Sequence, residues 1–358
     1  MVGTGCSLSC ALRSLILLIM TSTRTVSYRP ALAWFAALSS LWVFGVVTLG
    51  AFTTSIHAGM AFLDWPLSNG SINPEGWLSE IDKFAEHSHR LFGMVMGFLA
   101  IALVVCLHRY EARGWLRNLG WGSLGIVIIQ GILGGTRVLQ DSITVPGFAM
   151  TLGEMLRIPH GILAQVYVCT LFAISVSLSR PWIEGNSGSS ASGDSPRNGS
   201  GELGCGLRRL ALASTLLVFV QLIVAALMRH NNAGLAIPTF PLTPEGGLIP
   251  AHWDFRVALH FAHRVMALVL TGVLVWLAIA LWRSPTMGKG FKLSAKLIVG
   301  LLFVQILLGA ITVWSARNPY ASTAHVIVGA SLLATVFTVS WWTYRSSFVR
   351  IQPLSLAV

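Results

Sequence analysis

Eight long apolar stretches dominate this sequence and restrict what it can fold into. They lie at about residues 31–55, 88–107, 119–139, 157–179, 209–228, 260–281, 295–315 and 323–344. A helix needs roughly 20 apolar residues to cross the hydrocarbon core of a bilayer. Only 10% of the residues are charged, whereas a soluble protein carries about a quarter. The sequence therefore predicts an all-α integral membrane protein with eight transmembrane helices.

The net charge of +11 is distributed as a membrane topology signal. Sixteen of the 24 lysines and arginines lie in, or within two residues of, the two tails and the loops after spans 2, 4 and 6. The intervening loops are acidic or nearly uncharged, as in residues 57–88. By the positive-inside rule, both termini face the cytoplasm or matrix. We therefore expect lipid, and no nucleic acid, as the partner of the basic residues.

A Gly/Ser-rich segment at 180–208 reads as a flexible linker between two halves. The first 30 residues contain no acid, so they are either a targeting segment or an extension upstream of a true start at Met20; we favour the extension. The predicted parts are the N-terminal tail 1–30, the first half 31–179, the linker 180–208, the second half 209–345 and the C-terminal tail 346–358.

Four motifs recur in the same order in both halves. The pairs are AGMAFLDWPL (58–67) with AGLAIPTFPL (233–242), HSHRLFGMVMGFL (87–99) with HFAHRVMALVLTG (260–272), QGILGGTRV (130–138) with QILLGAITV (305–313), and HGILAQ (160–165) with HVIVGA (325–330). A duplicated four-helix unit explains this order. We predict two pseudo-symmetric four-helix bundles, related by an axis normal to the membrane.

Four of the ten histidines occupy equivalent positions of the repeat: His89 with His263, and His160 with His325. Each begins an even-numbered span, so within one half two imidazoles lie at the same depth. Such a pair is what a haem iron takes as axial ligands in a helical bundle. A zinc site would need three or four close ligands. A lone histidine would instead suggest a hydrogen-bonded helix end, but two symmetric pairs favour metal ligation.

Small and basic residues near these histidines suit a porphyrin. Glycines leave room for a flat ring, although glycines also serve close helix packing: Gly93, Gly97, Gly131, Gly134, Gly135, Gly161, Gly272, Gly309 and Gly329. Arg90 and Arg264 each follow a ligand candidate and would pair with haem propionates, or else reach the lipid headgroups. For four further arginines we expect only the headgroup role: Arg137, Arg157, Arg229 and Arg256.

Together these features resemble the heme A synthase family. The four histidines lie on helices 2, 4, 6 and 8 of a duplicated unit, with E-x-x-H-R at 86–90 and DWPL at 64–67. The resemblance covers residues from about 31 to 345. It implies that the protein oxidises the C8 methyl group of heme O to a formyl group, giving heme A for terminal oxidases.

The resemblance also implies a division of labour between the halves. The first half would hold the substrate haem with His89, His160 and Arg90. The second half would hold a permanent heme b, an iron cofactor, with His263, His325 and Arg264. Some family members carry two cysteines in an outer loop, and this sequence has none there. Thiol-based electron delivery is therefore not expected, and the electron donor is not indicated.

Glu86 is the main difference between the two predicted sites. It lies three residues before His89, on the same helix face, whereas the second half has His260 at this position. The resemblance assigns Glu86 a catalytic role, either delivering a proton or stabilising positive charge on the oxidised methyl carbon. The alternative is an acid favoured by the helix dipole. The other histidines near the outer side are expected to be interfacial or surface residues: His57, His87, His230, His252 and His260.

Two other functions share the four histidines: a bis-histidine cytochrome b for electron transfer, and a haem transporter or chaperone. The first does not need Glu86, and the second needs a passage to the inner face. We expect heme O as substrate, with heme O synthase and oxidase assembly factors as protein partners. The compact chain suits a bacterial cell membrane rather than the mitochondrial inner membrane.

Overall fold

Eight long helices make up the fold. The computed structural model describes residues 26–147, 150–185, 205–284 and 288–350. The helices are α1 Pro30–Ser55, α2 Ile81–Tyr110, α3 Gly114–Leu139, α4 Leu152–Leu178, α5 Cys205–His230, α6 Phe255–Arg283, α7 Lys289–Trp314 and α8 Pro319–Thr343. The described ranges contain no β-strand. The predicted all-α class and the number of helices are confirmed.

The helices expose apolar side chains over much of their length. All eight are long and apolar enough to cross a bilayer. On α1, for example, Trp34, Leu38 and Leu41 are each at least 60% exposed. Such a stripe would be unfavourable in water but is the natural solvent-facing surface of a helix in lipid. The protein is therefore an integral membrane protein.

The even-numbered helices begin earlier than the apolar stretches suggested. Polar caps set two of these starts, because Asp254 accepts a hydrogen bond from the Val257 N–H and Asn318 accepts from the Tyr320 N–H. A capping box of Thr151 and Glu154 starts α4. The candidate histidines consequently lie about two helical turns, roughly 10–12 Å, inside their helices. Their predicted position at the helix starts was wrong, and they are deeper in the bundle.

Each half has its own apolar core. One cluster of buried residues draws on α1 to α4, with Ala334 of α8, and a second draws on α5 to α8. In each half consecutive helices pack together and the first packs on the fourth. The halves meet where α1 contacts α8, α4 contacts α8 and α4 contacts α5. These contacts are consistent with the expected pair of pseudo-symmetric bundles.

The predicted tails and linker are described only at their margins. Residues 1–25, 186–204 and 351–358 lie outside the described residues. At the margins, Arg180–Glu184 and Arg345–Arg350 form short helices. Both short helices lie on the side of the bundle opposite the starts of the even-numbered helices. We call the side on which α2, α4, α6 and α8 begin the histidine side.

Candidate functional site

A large cavity opens among the described helices toward the histidine side. Its volume is about 1480 Å³, and residues of both halves line it. Pockets for a single small ligand usually measure about 300–1,000 Å³. All four candidate histidines and Glu86 line this one cavity. The cavity therefore connects the two predicted sites and has room for more than one ordinary ligand.

The structure brings the four histidines together as two couples. The ring centroids of His89 and His160 are 6.5 Å apart, with an interplanar angle of 81°. Those of His263 and His325 are also 6.5 Å apart, at 64°. Two imidazoles that bind one metal through bonds of about 2 Å hold their centroids roughly 6 Å apart, since each centroid lies about 1 Å behind its bonding nitrogen. Both couples therefore have about the centroid spacing expected of two imidazoles that bind one metal ion from opposite sides.

Hydrogen bonds to Nδ1 orient several of these rings. The Val46 carbonyl oxygen lies 3.1 Å from His89 Nδ1, and the Gln305 carbonyl oxygen lies 3.1 Å from His325 Nδ1. In the second half Gln221, at the position of the repeat that Val46 occupies, lies 3.0 Å from His263 Nδ1. A metal-binding histidine typically donates its other ring N–H to such a carbonyl oxygen. This arrangement assigns Nε2 of His89 and His325 to the ligand. The Gln221 side chain contacts His263 through its amide nitrogen, which is a donor, and so does not fix the tautomer of His263 in this way.

The fourth histidine, His160, is hydrogen-bonded through its backbone carbonyl group and not through its ring. Gln130 donates a hydrogen bond to the His160 carbonyl oxygen over 3.0 Å. The Nδ1 atom of His160 is buried without a hydrogen-bond partner among the described residues. The repeat-equivalent glutamine, Gln305, contacts His325 through both its backbone and its side chain. The two halves therefore hold equivalent histidines with equivalent glutamines.

The glycines leave the space that a macrocycle needs. Gly93, Gly131 and Gly161 line the cavity, and a Cβ atom added at any of them would meet nothing within 4 Å. Gly97 and Gly272 are equally uncrowded but do not line the cavity. At Gly134 it would lie 3.3 Å from His160 Cε1, and at the equivalent Gly309 it would lie 3.2 Å from His325 Cε1. The Trp65 side chain covers Gly135, and the Gln305 side chain covers Gly329. The residues present thus fit a flat ligand between paired imidazoles.

Gly50 is a further functional position, one that the sequence analysis missed. A Cβ atom there would lie 2.7 Å from His89 Cε1. Gly50→Ala is expected to displace the His89 ring and weaken haem binding by the first couple at least about tenfold. Titration of the haem-depleted protein measures this. The matched control is Ala225, the repeat-equivalent residue on α5: Ala225→Gly should leave binding by both couples unchanged. Unchanged first-couple affinity in Gly50→Ala would remove this positioning role.

Glu86 is buried and has two hydrogen-bond partners. The Phe62 N–H donates to Oε2 over 3.1 Å, and Arg90 Nη2 lies 2.6 Å from Oε1. In the second half the Ile237 N–H donates to His260 Nδ1 over 3.2 Å. Phe62 and Ile237 are equivalent in the repeat, so Glu86 and His260 tether the same loop position in the two halves. His260 is only 3% exposed, and its predicted surface location was wrong.

Arg90 and Arg264 hold the loops of the histidine side. Arg90 donates to the carbonyl oxygens of Phe62, Asp64 and Leu67, at 3.1, 2.7 and 2.5 Å. Arg264 donates to those of Ile237 and Thr239, at 3.0 and 2.6 Å. Both arginines also line the cavity. Their predicted pairing with haem propionates stays a prediction, and the observed contacts give both residues a structural role.

His87 also anchors the first loop. Its Nδ1 lies 3.0 Å from Ser68 Oγ, and its Nε2 lies 3.1 Å from the Ile72 carbonyl oxygen. His87 is 3% exposed, so it is a buried loop anchor and not the interfacial residue that was expected. In the same loop, desolvation raises the pKa of Asp64, but hydrogen bonds from Gly70 and Asn69 N–H outweigh it and lower that pKa overall. The loop is thus fixed from both ends.

The described residues contain no group of three or more histidine, cysteine, aspartate or glutamate side chains that could hold a metal ion. A porphyrin iron needs only two ligands from the protein, since the macrocycle supplies the other four. Of the remaining histidines, His57 and His230 line the cavity. His252 is exposed at the surface, as expected.

Comparison with known proteins agrees with this geometry. The chain is 26% identical to the heme A synthase of Geobacillus thermodenitrificans over 307 residues, 82% of this chain and 86% of the relative. It is 28% identical to that of Caulobacter sp. (strain K31), over 91% of this chain and 100% of the relative. Residues 33–337 match the family COX15-CtaA, described as cytochrome oxidase assembly protein. Since that match spans most of the sequence, the chain belongs to the COX15-CtaA family of cytochrome oxidase assembly proteins.

Proposed function

We propose that this protein is a heme A synthase, which oxidises the C8 methyl group of heme O to a formyl group and so supplies heme A for terminal oxidases. The observation that carries the proposal is the pair of histidine couples with equal 6.5 Å centroid spacing, of which only the first has a buried carboxylate beside it. Family membership and the names of the relatives support the choice of substrate.

The first couple belongs to the substrate in this proposal. His89 and His160 would hold the iron of heme O on its two faces. Trp65, whose ring covers Gly135, would lie over this pocket from the first loop. Glu86, three residues before His89, would lie at the edge of the bound ring. It would stabilise positive charge developing at the methyl carbon, or deliver a proton there.

The second couple belongs to a permanent cofactor. His263 and His325 would be the axial ligands of a heme b, which supplies one-electron redox chemistry when bound. His260 replaces the carboxylate in this half, and its imidazole accepts the same backbone hydrogen bond that Glu86 accepts in the first half. The loop is therefore held in both halves, but an anion beside the ligand is present only in the first. This difference supports catalysis in the first half and electron storage in the second.

The shape of the cavity argues against transport across the membrane. Its lining includes residues of the histidine side and of the middle of the helices, down to Val43, Tyr167 and Leu332. None of the described residues in the loops on the opposite side lines it. A transporter needs a passage to that side. The cavity instead suits two bound groups that stay near one membrane face.

Extraction of the pigment tests the proposed function. We expect the purified protein to yield heme b together with heme O, heme A or the hydroxylated intermediate, separated by reversed-phase chromatography. A preparation with heme b alone, even after loading with heme O, would indicate a cytochrome b that only transfers electrons. A preparation without any haem would contradict both functions.

The same proposal includes an orientation. We infer that both termini lie on the cytoplasmic side of a bacterial cell membrane, because basic residues concentrate on the side opposite the histidines. Green fluorescent protein fused after Val358 is expected to fluoresce, and alkaline phosphatase fused after Glu245 in the α5–α6 loop is expected to be active. The reverse pair of results would place the haem pockets on the inner face and contradict this orientation.

A further inference from the structure

Three of the four arginines that were expected to reach the lipid headgroups, Arg137, Arg157 and Arg229, line the cavity instead, and Arg317 lines it with them. Each is only partly exposed. Cations buried at membrane depth need partners of opposite charge. The charged groups around these arginines therefore indicate which kind of ligand the cavity binds.

Neutral groups are the main partners of these arginines. Arg137 donates to the Gly59 carbonyl oxygen. Arg229 donates to the Ala51 carbonyl oxygen and to Ser55 Oγ, both at 2.8 Å. In the described part of the chain, Arg137, Arg229 and Arg317 form no ion pair with a carboxylate. Asp141 and Glu86 act on Arg137 only from beyond 4.0 Å, and Glu86 is already paired with Arg90.

Among the described residues, Arg157 is the one member of this group with carboxylates within 4.0 Å. Its Nη2 lies 3.6 Å from Asp141 and 3.7 Å from Glu154, longer than the 2.6 Å contact between Arg90 and Glu86. Its Nε atom is buried without a hydrogen-bond partner among the described residues. Four guanidinium groups thus face two loosely placed carboxylates, which leaves an excess of positive charge around the cavity mouth. An anionic ligand would stabilise this arrangement.

The arginines divide into two pairs, one for each histidine couple. Arg157 lies one turn before His160 on α4, and Arg137 lies three residues after Gly134, where a Cβ atom would lie 3.3 Å from His160 Cε1. Arg229 is in the last turn of α5, eight residues after Gln221, which contacts His263, and Arg317 lies just before α8, which carries His325. Each half therefore presents two guanidinium groups beside its paired imidazoles.

The loops of the repeat support the same pairing. Gly59 and Gly234 are equivalent positions of the repeated loop. A Cβ atom at Gly59 would lie 2.9 Å from Arg137 Cζ, and one at Gly234 would lie 3.7 Å from Arg317 Cδ. The two arginines come from different places in the sequence, Arg137 from α3 and Arg317 from the turn between α7 and α8. The halves thus reach a similar charge arrangement with residues that the repeat does not relate.

We propose that Arg137 with Arg157, and Arg229 with Arg317, bind the propionate carboxylates of the two haems. The inference rests on the proposed function, because it presupposes a haem between each histidine couple. A haem carries two propionates, and a guanidinium group binds a carboxylate through paired N–H donors. Arg90 and Arg264, whose terminal nitrogens bind loop carbonyls, then shape the loops over the pockets.

Titration with esterified haem tests the proposal without any arginine substitution. The haem-depleted full chain in neutral detergent is titrated with protohaem and with its dimethyl ester, which keeps the ring and iron but removes both negative charges. Each couple is measured in a chain whose other couple carries alanines. We expect the ester to bind at least about tenfold more weakly at each couple. Equal affinity for the two compounds would overturn the inference and indicate that the arginines bind lipid phosphate groups. Failure to bind either compound would contradict the proposed function itself.

Arginine variants then locate the preference. Arg137→Gln with Arg157→Gln should abolish the preference for free propionates at the first couple and leave it intact at the second. Arg229→Gln with Arg317→Gln should do the reverse, and lysine at the same positions should restore part of each preference. The matched control is Arg256→Gln, since Arg256 is exposed on the same side and does not line the cavity. The preference for protohaem over its dimethyl ester could instead survive these changes and be lost in Arg90→Gln or Arg264→Gln. That result would assign propionate binding to Arg90 or Arg264 and overturn the proposal.

Discussion

His325→Ala is expected to remove the low-spin heme b spectrum of the purified protein. The imidazole of His325 lies 6.5 Å, centroid to centroid, from that of His263, and its Nδ1 lies 3.1 Å from the Gln305 carbonyl oxygen. In the proposed site, alanine would remove one of the two imidazoles that hold the iron. An iron left with a single imidazole from the protein would become high-spin or be lost. The reduced-minus-oxidised visible spectrum, with haem content per chain, measures the effect.

Two further measurements make this result specific. Free imidazole added to the His325→Ala protein should enter the space left by the side chain and restore part of the low-spin spectrum. His252→Ala is the matched control, because His252 is an exposed histidine on the same side that does not line the cavity. Its spectrum should equal that of the unsubstituted protein. A His325→Ala protein with an unaltered spectrum would end the assignment of this residue as a ligand.

Glu86→His is expected to stop heme A formation and to leave heme b in place. The second half already shows that a histidine accepts the loop amide at this position, since the Ile237 N–H donates to His260 Nδ1 as the Phe62 N–H donates to Glu86 Oε2. The substitution therefore keeps the tether and removes only the carboxylate. We expect the rate of heme A formation to fall at least about a hundredfold. Heme chromatography of cells producing heme O measures it.

A second variant separates the two properties of Glu86. Both substitutions break the ion pair between Glu86 and Arg90, but Glu86→Ala also removes the acceptor of the Phe62 N–H. It should be as inactive as Glu86→His but less stable to heat, because a buried backbone N–H is left without an acceptor. Full activity of the Glu86→His protein would restrict Glu86 to a structural role in the loop.

The number of helices and the histidine couples could be predicted from the sequence because both follow simple periodic rules. Apolar length determines whether a helix spans the bilayer, and the repeat relates His89 to His263 and His160 to His325. Helix starts were predicted less well. Residues 81–87 are too polar to belong to the predicted apolar stretch, yet they extend α2 by nearly two turns at its N-terminal end. Local capping and loop contacts, rather than hydropathy, set these boundaries.

The partners of the polar residues could not be predicted from the sequence. Arg90 was expected to face a ligand, but the carbonyl oxygens of a loop some 25 residues earlier in the chain surround it. Arg137 and Arg229 were assigned to lipid headgroups, but they line the cavity. An arginine within the membrane donates hydrogen bonds to whichever acceptors lie nearby, and tertiary packing determines which acceptors those are. The burial of His87 and His260 was missed for the same reason.

Haem stoichiometry tests the two-couple geometry most directly. The haem-depleted chain is titrated with protohaem, and the low-spin ferric signal is followed by electron paramagnetic resonance. We expect two haems per chain, falling to one when His89 and His160 carry alanines, to one when His263 and His325 do, and to none when all four are replaced. Two haems bound by the fourfold variant, or a single haem in the unsubstituted chain, would show that the paired imidazoles do not each hold an iron.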